Sequence, residues 1–211
     1  VELGDGPTLT DDGRPMLTLT EPPEPDRPST ASILTVGIGG TGVVTVNQLL
    51  TTAALLDGLR ANGLDQTGLA QKGGPVVSHL HLGLDLPDDA SRIGEGGADA
   101  YLIFDVLAGV ADANLSRAGA DRTTAVVSTS RVPTGTMVAS REHEGFPAID
   151  RFRAQIDAAS RPDANVWVDA VGIARELFRS QPAANLFVLG SAHQRALLPV
   201  RAASIVRAVE L

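Results

Sequence analysis

The chain of 211 residues contains no cysteine. This excludes disulfides, thiolate zinc sites and any iron–sulfur cluster ligated by these residues alone. It also lacks an apolar run of the roughly 18 residues that a membrane helix needs. Its first residues, VELGDGPTLTDDG, have neither the basic start nor the apolar body of a secretory signal. With a formal net charge of −8 and no basic block, the chain carries no footprint for the counterion release that drives nucleic-acid binding. Lysine occurs once, as Lys72, against sixteen arginines. These absences predict a cytoplasmic protein with neither nucleic acid nor membrane as a partner. Because the chain does not begin with Met, it is expected to be a piece of a longer polypeptide.

What is present suffices for one domain. Hydrophobic residues make up 43% of the chain, enough for one substantial core. Residues 1–31 read as a Pro/Gly-rich linker or strap. Within them EPPEPDRPST (21–30) denies backbone donors and favours stiff, extended geometry, and MLTLT (16–20) reads as an edge strand or a strap. From Ser32 to Leu211 the pattern alternates. Ile33–Val36 is an apolar strand that stops at glycine. Val43–Leu56 keeps helical spacing, closed by Asn62 and Gly63, and a weak strand reaches Leu64. PVVSHLHLGL (75–84) puts Val77, His79 and His81 on one face. Strands are expected at 100–104, 123–128 and 165–168, and helices at 106–117, 147–159, 170–179, 184–196 and 202–210. That order predicts an α/β fold with a mostly parallel sheet.

The stretch GIGGTG places Gly37, Gly39 and Gly42 at the G-x-G-x-x-G spacing between a strand and a helix. Glycines let the backbone turn tightly and approach a ligand, while the helix N-terminus offers free N–H groups to an anion. A dinucleotide also requires an acid about 20 residues on, at the end of a second strand. Asp65 is at that distance, but LRANGLDQ lacks the alternating apolar run of such a strand. An NAD(P)- or FAD-dependent dehydrogenase domain is therefore the alternative reading. An adenylating enzyme would need a close pair of acids, and LDQTG offers one.

More specific is LDQTGLAQKGGPVVSHLHLG (64–83). With GIGGTGVVTVNQLL before it and NLFVLGSAHQRALLPV (185–200) after it, this segment resembles the gamma-type domain of 2-oxoacid:ferredoxin oxidoreductases, most of all the fused indolepyruvate ferredoxin oxidoreductases. The resemblance spans about 32–211. It implies a single Rossmann-like domain, preceded by a Pro-rich connector, within an enzyme that decarboxylates a 2-oxoacid on thiamine diphosphate. In such an enzyme electrons pass through iron–sulfur clusters to ferredoxin and the acyl group passes to coenzyme A. Thiamine diphosphate, Mg2+, the clusters and coenzyme A are implied for the full enzyme, with none held by this domain alone. The implied partners are thiamine-binding and ferredoxin-like domains of the same enzyme, ferredoxin itself, and further copies in an oligomer. The GDG at 4–6 lacks the following Asn of a thiamine–magnesium motif, since the first Asn is Asn47.

No catalytic or metal-ligating residue is assigned. The candidate cofactor-binding residues are Gly37, Gly39, Gly40, Thr41 and Gly42 in the turn, with Gln66, Thr67, Gln71, Lys72, Gly73 and Gly74 in the second segment. An ammonium beside two flexible glycines suits a diphosphate or carboxylate, and the amides and hydroxyl add neutral hydrogen bonds. Lys72 as an ordinary solvated loop lysine remains open. His79 and His81 sit at a spacing that could ligate a metal, but without cysteine or a third ligand they read as a hydrogen-bonding pair. The chain departs from the family pattern twice. His81 stands where Ser-His-x-Arg has its Arg, and Arg201 stands where a Ser helix cap is expected, a loss of about 1 kcal/mol.

Overall fold

The structure, a computed structural model, describes residues 24–25, 28–68, 74–86, 91–130, 147–180 and 183–211. The apolar run forms β1 (Ala31–Ile38), buried on both faces as its unbroken apolar sequence requires. After the glycine turn, α1 (Val43–Leu56) lays Val43, Val46, Leu49, Leu50 and Ala53 against the sheet at helical spacing. There follow β2 (Arg60–Thr67), β3 (Pro75–Gly83), β4 (Ala100–Ile103), α2 (Val106–Gly109), α3 (Asp112–Leu115), β5 (Thr124–Ser128), α4 (Ile149–Ala159), β6 (Val166–Val168), α5 (Ala170–Phe178), α6 (Ala183–Gln194) and α7 (Ala202–Glu210). Of the sequence-derived expectations, MLTLT, most of the proline-rich stretch, and Gln71, Lys72 and Gly73 lie outside the described residues.

The strands form one sheet in the order β2-β3-β1-β4-β5-β6. β1, β4, β5 and β6 run parallel, and β3 is antiparallel to both of its neighbours. The mostly parallel α/β sheet is therefore present, with one reversed strand wedged between β1 and β2. One face carries α1 and α5 to α7 over Ile33, Leu80, Leu82, Leu102 and Val126. The other face buries Leu34, Val36, Tyr101, Ile103 and Val127 under α2, α4 and Ile93. No helix among the described residues is long and apolar enough to cross a membrane.

Three local expectations are corrected. First, α1 is closed by Asp57 and Gly58, whose φ is +72°, while Asn62 and Gly63 lie inside β2. As an edge strand, β2 is held by its ladder to β3 and buries little, so its sequence need not alternate. Second, the helix expected over 106–117 breaks into α2 and α3 at Ala111, whose ψ of 129° is extended. Third, Arg201 leaves α7 without a side-chain cap as expected, but the helix start is not left unsupported, because Asp57, 144 residues earlier, anchors it. Its Oδ2 accepts from the Arg201 backbone N–H at 2.7 Å, and its Oδ1 accepts from the Arg201 guanidinium and the Ser204 hydroxyl. Burial alone would raise this carboxyl, yet the Ser204 and Arg201 hydrogen bonds and the guanidinium charge hold it below the usual range.

Candidate functional site

The carboxyl ends of β1, β4, β5 and β6 gather the chemistry-bearing loops along one edge, where open α/β sheets place ligands. At the end of β1, the Thr41 N–H and hydroxyl both donate to the Ile38 carbonyl, at 3.0 and 2.6 Å. Gly37 is enclosed, because a Cβ there would lie 2.6 Å from Thr41 Oγ1 and 2.8 Å from a Val43 methyl. Gly42 caps α1 in the left-handed region at φ +79°, a conformation natural to glycine, and has no side chain with which to satisfy the first helical N–H groups. Consequently the N–H groups of Gly40, Gly42, Val43, Val44 and Thr45 meet no acceptor among the described residues.

Gly40, Gly42 and Thr45 among them line a groove of about 910 Å³ whose walls also include Thr41, Ser128 and Asn185, with Leu49, Val188 and Val209 farther along. Ser128 is buried at the end of β5 and donates to Ser130 at 3.1 Å. Ser130 in turn donates to Asp169 and accepts from the Val171 N–H. Asp169 caps α5 through the Gly172 N–H, and the Ser130 hydroxyl and that N–H hold its carboxyl below the usual range. The groove thus carries glycine backbone and hydroxyl groups at one end and apolar side chains at the other. Asp105, buried beside the turn at the end of β4, caps α2, and burial pushes its carboxyl up.

Of the residues singled out in the sequence, Gly40, Thr41 and Gly42 line the groove. The Gly39 N–H donates to the Gly74 carbonyl at 2.7 Å, which brings the end of the second segment directly onto the turn. Gln66 lies on the opposite sheet face, its Oε1 3.4 Å from His79 Nε2. Thr67 is exposed at the end of β2. Sequence reasoning missed Thr45, Ser128 and Asn185. Asn185 opens the third segment quoted above, but only the fold shows that it reaches the turn.

The features a dinucleotide site requires are already engaged. The second glycine of a dinucleotide turn must leave its backbone open to a pyrophosphate, and here Gly74 occupies it. Asp65 Oδ1 accepts from Asn47 Nδ2 at 2.7 Å and from the Ser78 hydroxyl. β3 takes the position beside β1 where the acid-bearing strand would pair.

On the other face His79, which is 0% exposed, accepts the Ile93 N–H on Nδ1 at 3.2 Å, so its proton resides on Nε2 toward Gln66. Burial first, then the charges of Arg117, Arg92 and His81, pull its pKa down to about 4. His81 bonds Ser32 at 3.0 Å. Burial lowers it too, against the pull of Asp99. Among the described residues no three His, Cys, Asp or Glu side chains converge as a metal site.

The fold and groove define an α/β domain whose glycine turn and Asp65 are engaged by the β2–β3 hairpin. Residues 32–211 match the pyruvate ferredoxin/flavodoxin oxidoreductase family, and the chain belongs to it. Curated relatives are the indolepyruvate oxidoreductase subunits IorB of Archaeoglobus fulgidus and Thermococcus kodakarensis. The first is 36% identical over 74 residues, covering 35% of this chain and 35% of that subunit. The second is 25% identical over 126 residues, covering 60% and 59%. The chain thus spans about a third to three fifths of the curated relatives it matches. The fold is shared with the PORC subunit of pyruvate oxidoreductase from Thermotoga maritima (TM-score 0.61, 17% identity, covering 87% of this chain and 85% of that one). It is also shared with 2-oxoglutarate:ferredoxin oxidoreductase from Magnetococcus marinus, solved with 2-oxoglutarate, coenzyme A and succinyl-CoA bound (TM-score 0.63, 14% identity, covering 87% and 27%).

Proposed function

We propose that this chain is the gamma-type domain of a cytoplasmic, thiamine diphosphate-dependent 2-oxoacid:ferredoxin oxidoreductase acting on indolepyruvate or a similar aryl-pyruvate. In it 2-oxoacid, coenzyme A and two oxidised ferredoxins become acyl-CoA, carbon dioxide, two reduced ferredoxins and a proton. The domain's part is to form one wall of the coenzyme A cleft and to dock the thiamine-binding and ferredoxin-like parts of an oligomeric assembly. The cluster ligands come from those other parts, since this chain has no cysteine.

The observation that carries this reading is the set of N–H groups of Gly40, Gly42, Val43, Val44 and Thr45 that meet no acceptor among the described residues, at the groove of a family member. Such a set suits a phosphate of coenzyme A, whose bound thiol would accept the acyl group. Lys72, from the loop between Gly68 and Gly74, would add the ammonium. The test is viologen reduction by the full enzyme carrying Thr45→Glu. Thr45 is exposed in the first turn of α1 and lines the groove, so the carboxylate enters it on ordinary helical backbone, whereas Gly40, at φ +91°, would be strained by any side chain. We expect the coenzyme A requirement to rise about tenfold or more, at an unchanged 2-oxoacid requirement. An unchanged coenzyme A requirement would refute the assignment.

A further inference from the structure

The glycine turn leans on a side chain from far along the chain. Asn185, in the first turn of α6, donates its amide N–H to the Thr41 carbonyl. A Cβ at Gly42 would collide with the same amide. The other protein bonds of the turn either stay within it, from Thr41 to Ile38, or come from the hairpin, from Gly39 to Gly74. Asn185 is the contact from the groove's far wall.

The chemistry of this contact is unusual for a helix start. An ordinary cap, Ser, Thr, Asp or Asn, stabilises the turn by accepting from the N2 or N3 N–H, and in doing so consumes a donor. Here the cap is glycine, and the outside support lands on a carbonyl instead. The turn is braced while the N–H groups of Gly40, Gly42, Val43, Val44 and Thr45 meet no acceptor among the described residues. We infer that Asn185 is a positioning residue that holds the Gly40–Thr45 backbone in its anion-accepting shape by bonding the Thr41 carbonyl. It is not itself the ligand's partner. A neutral amide is the fitting group, because a carboxylate of the same shape could not donate to a carbonyl and would bring negative charge beside the anion. The inference rests on the proposed reading of the groove for its consequence in binding, but not for its consequence in the free protein.

The experiment uses the full enzyme with Asn185→Ala and the isosteric Asn185→Asp. It pairs amide exchange over residues 39–46 without ligand with calorimetric affinity for coenzyme A and for inorganic pyrophosphate. We expect exchange of the hydrogen-bonded amides in this stretch, Gly39, Thr41 and Val46, to quicken about tenfold in both variants while the thermal midpoint moves little. Both affinities should fall about five- to tenfold in Asn185→Ala and further in Asn185→Asp. Asn185→Asp carries the test if the alanine variant does not fold. Unchanged exchange over 39–46 overturns the inference, including where affinity falls, since Asn185 would then be a ligand contact. Faster exchange in the variants of an enzyme whose wild type binds neither probe supports the bracing role and refutes the coenzyme A reading alone.

Discussion

Acid should dissolve the tie between β3 and the segment at Ile93 before it dissolves the sheet. His79 is fully buried, accepts the Ile93 N–H on Nδ1, and faces Arg117, Arg92 and His81. Protonation would turn that acceptor into a donor pointing at a donor, in the field of two guanidinium groups. The folded-state pKa of about 4 lies below the usual 6.5 of an unfolded chain. The stabilisation is therefore fully present above pH 6.5 and is lost as the pH falls toward 4. Over that whole window the loss amounts to about 3 kcal/mol, and by about pH 4.5 some 2.5 kcal/mol of it has gone. The assay is urea unfolding of wild type and His79→Asn near pH 7.5 and near pH 4.5. Asparagine can still accept the Ile93 N–H but takes up no proton. His79→Asn should begin less stable, through lost packing, and then lose about 2.5 kcal/mol less than wild type on acidification. Carboxylates remote from His79 are common to both proteins and cancel in the comparison. Parallel acid profiles would refute the reasoning.

Two further expectations concern stability. Ala196 ends α6 at φ +55° and is solvent-facing, so Ala196→Gly should raise stability by about 0.5–1 kcal/mol, visible as a higher thermal midpoint. Asp57→Asn keeps the shape but removes the charge that binds the Arg201 N–H, its guanidinium and Ser204. It should cost about 1.5–3 kcal/mol near neutral pH and progressively less in acid, measured by urea midpoints.

The parts of the fold governed by local pattern were legible in the sequence. β1, the glycine turn and α1 follow from an apolar run, a G-x-G-x-x-G spacing and a helical stripe, and β3 from its apolar alternation. β2 was not legible. It is an edge strand rich in polar residues, and its strand character comes from eight ladder partners on β3 rather than from its own composition. The same holds for the placement of β3 beside β1, which decides that Asp65 meets Asn47 and Ser78 instead of a ribose. Gly40, Thr41 and Gly42 could be found because glycine marks its own geometry. Asn185 and the Asp57 cap could not, because each acts 144 residues away from its partner.

The β2–β3 hairpin, finally, behaves as a fixture with a replaceable tip. Its ladder runs from Arg60 opposite Gly83 to Thr67 opposite Val76, and the Gly68 N–H to Pro75 carbonyl bond at 3.0 Å closes the end. Gly74, immediately beyond, is bonded to Gly39 of the turn. Both roots of the connecting loop are therefore fixed by the sheet whatever the loop's own sequence. Ring-closure entropy grows only slowly with length, so residues between those roots can be exchanged or lengthened at little expense in stability.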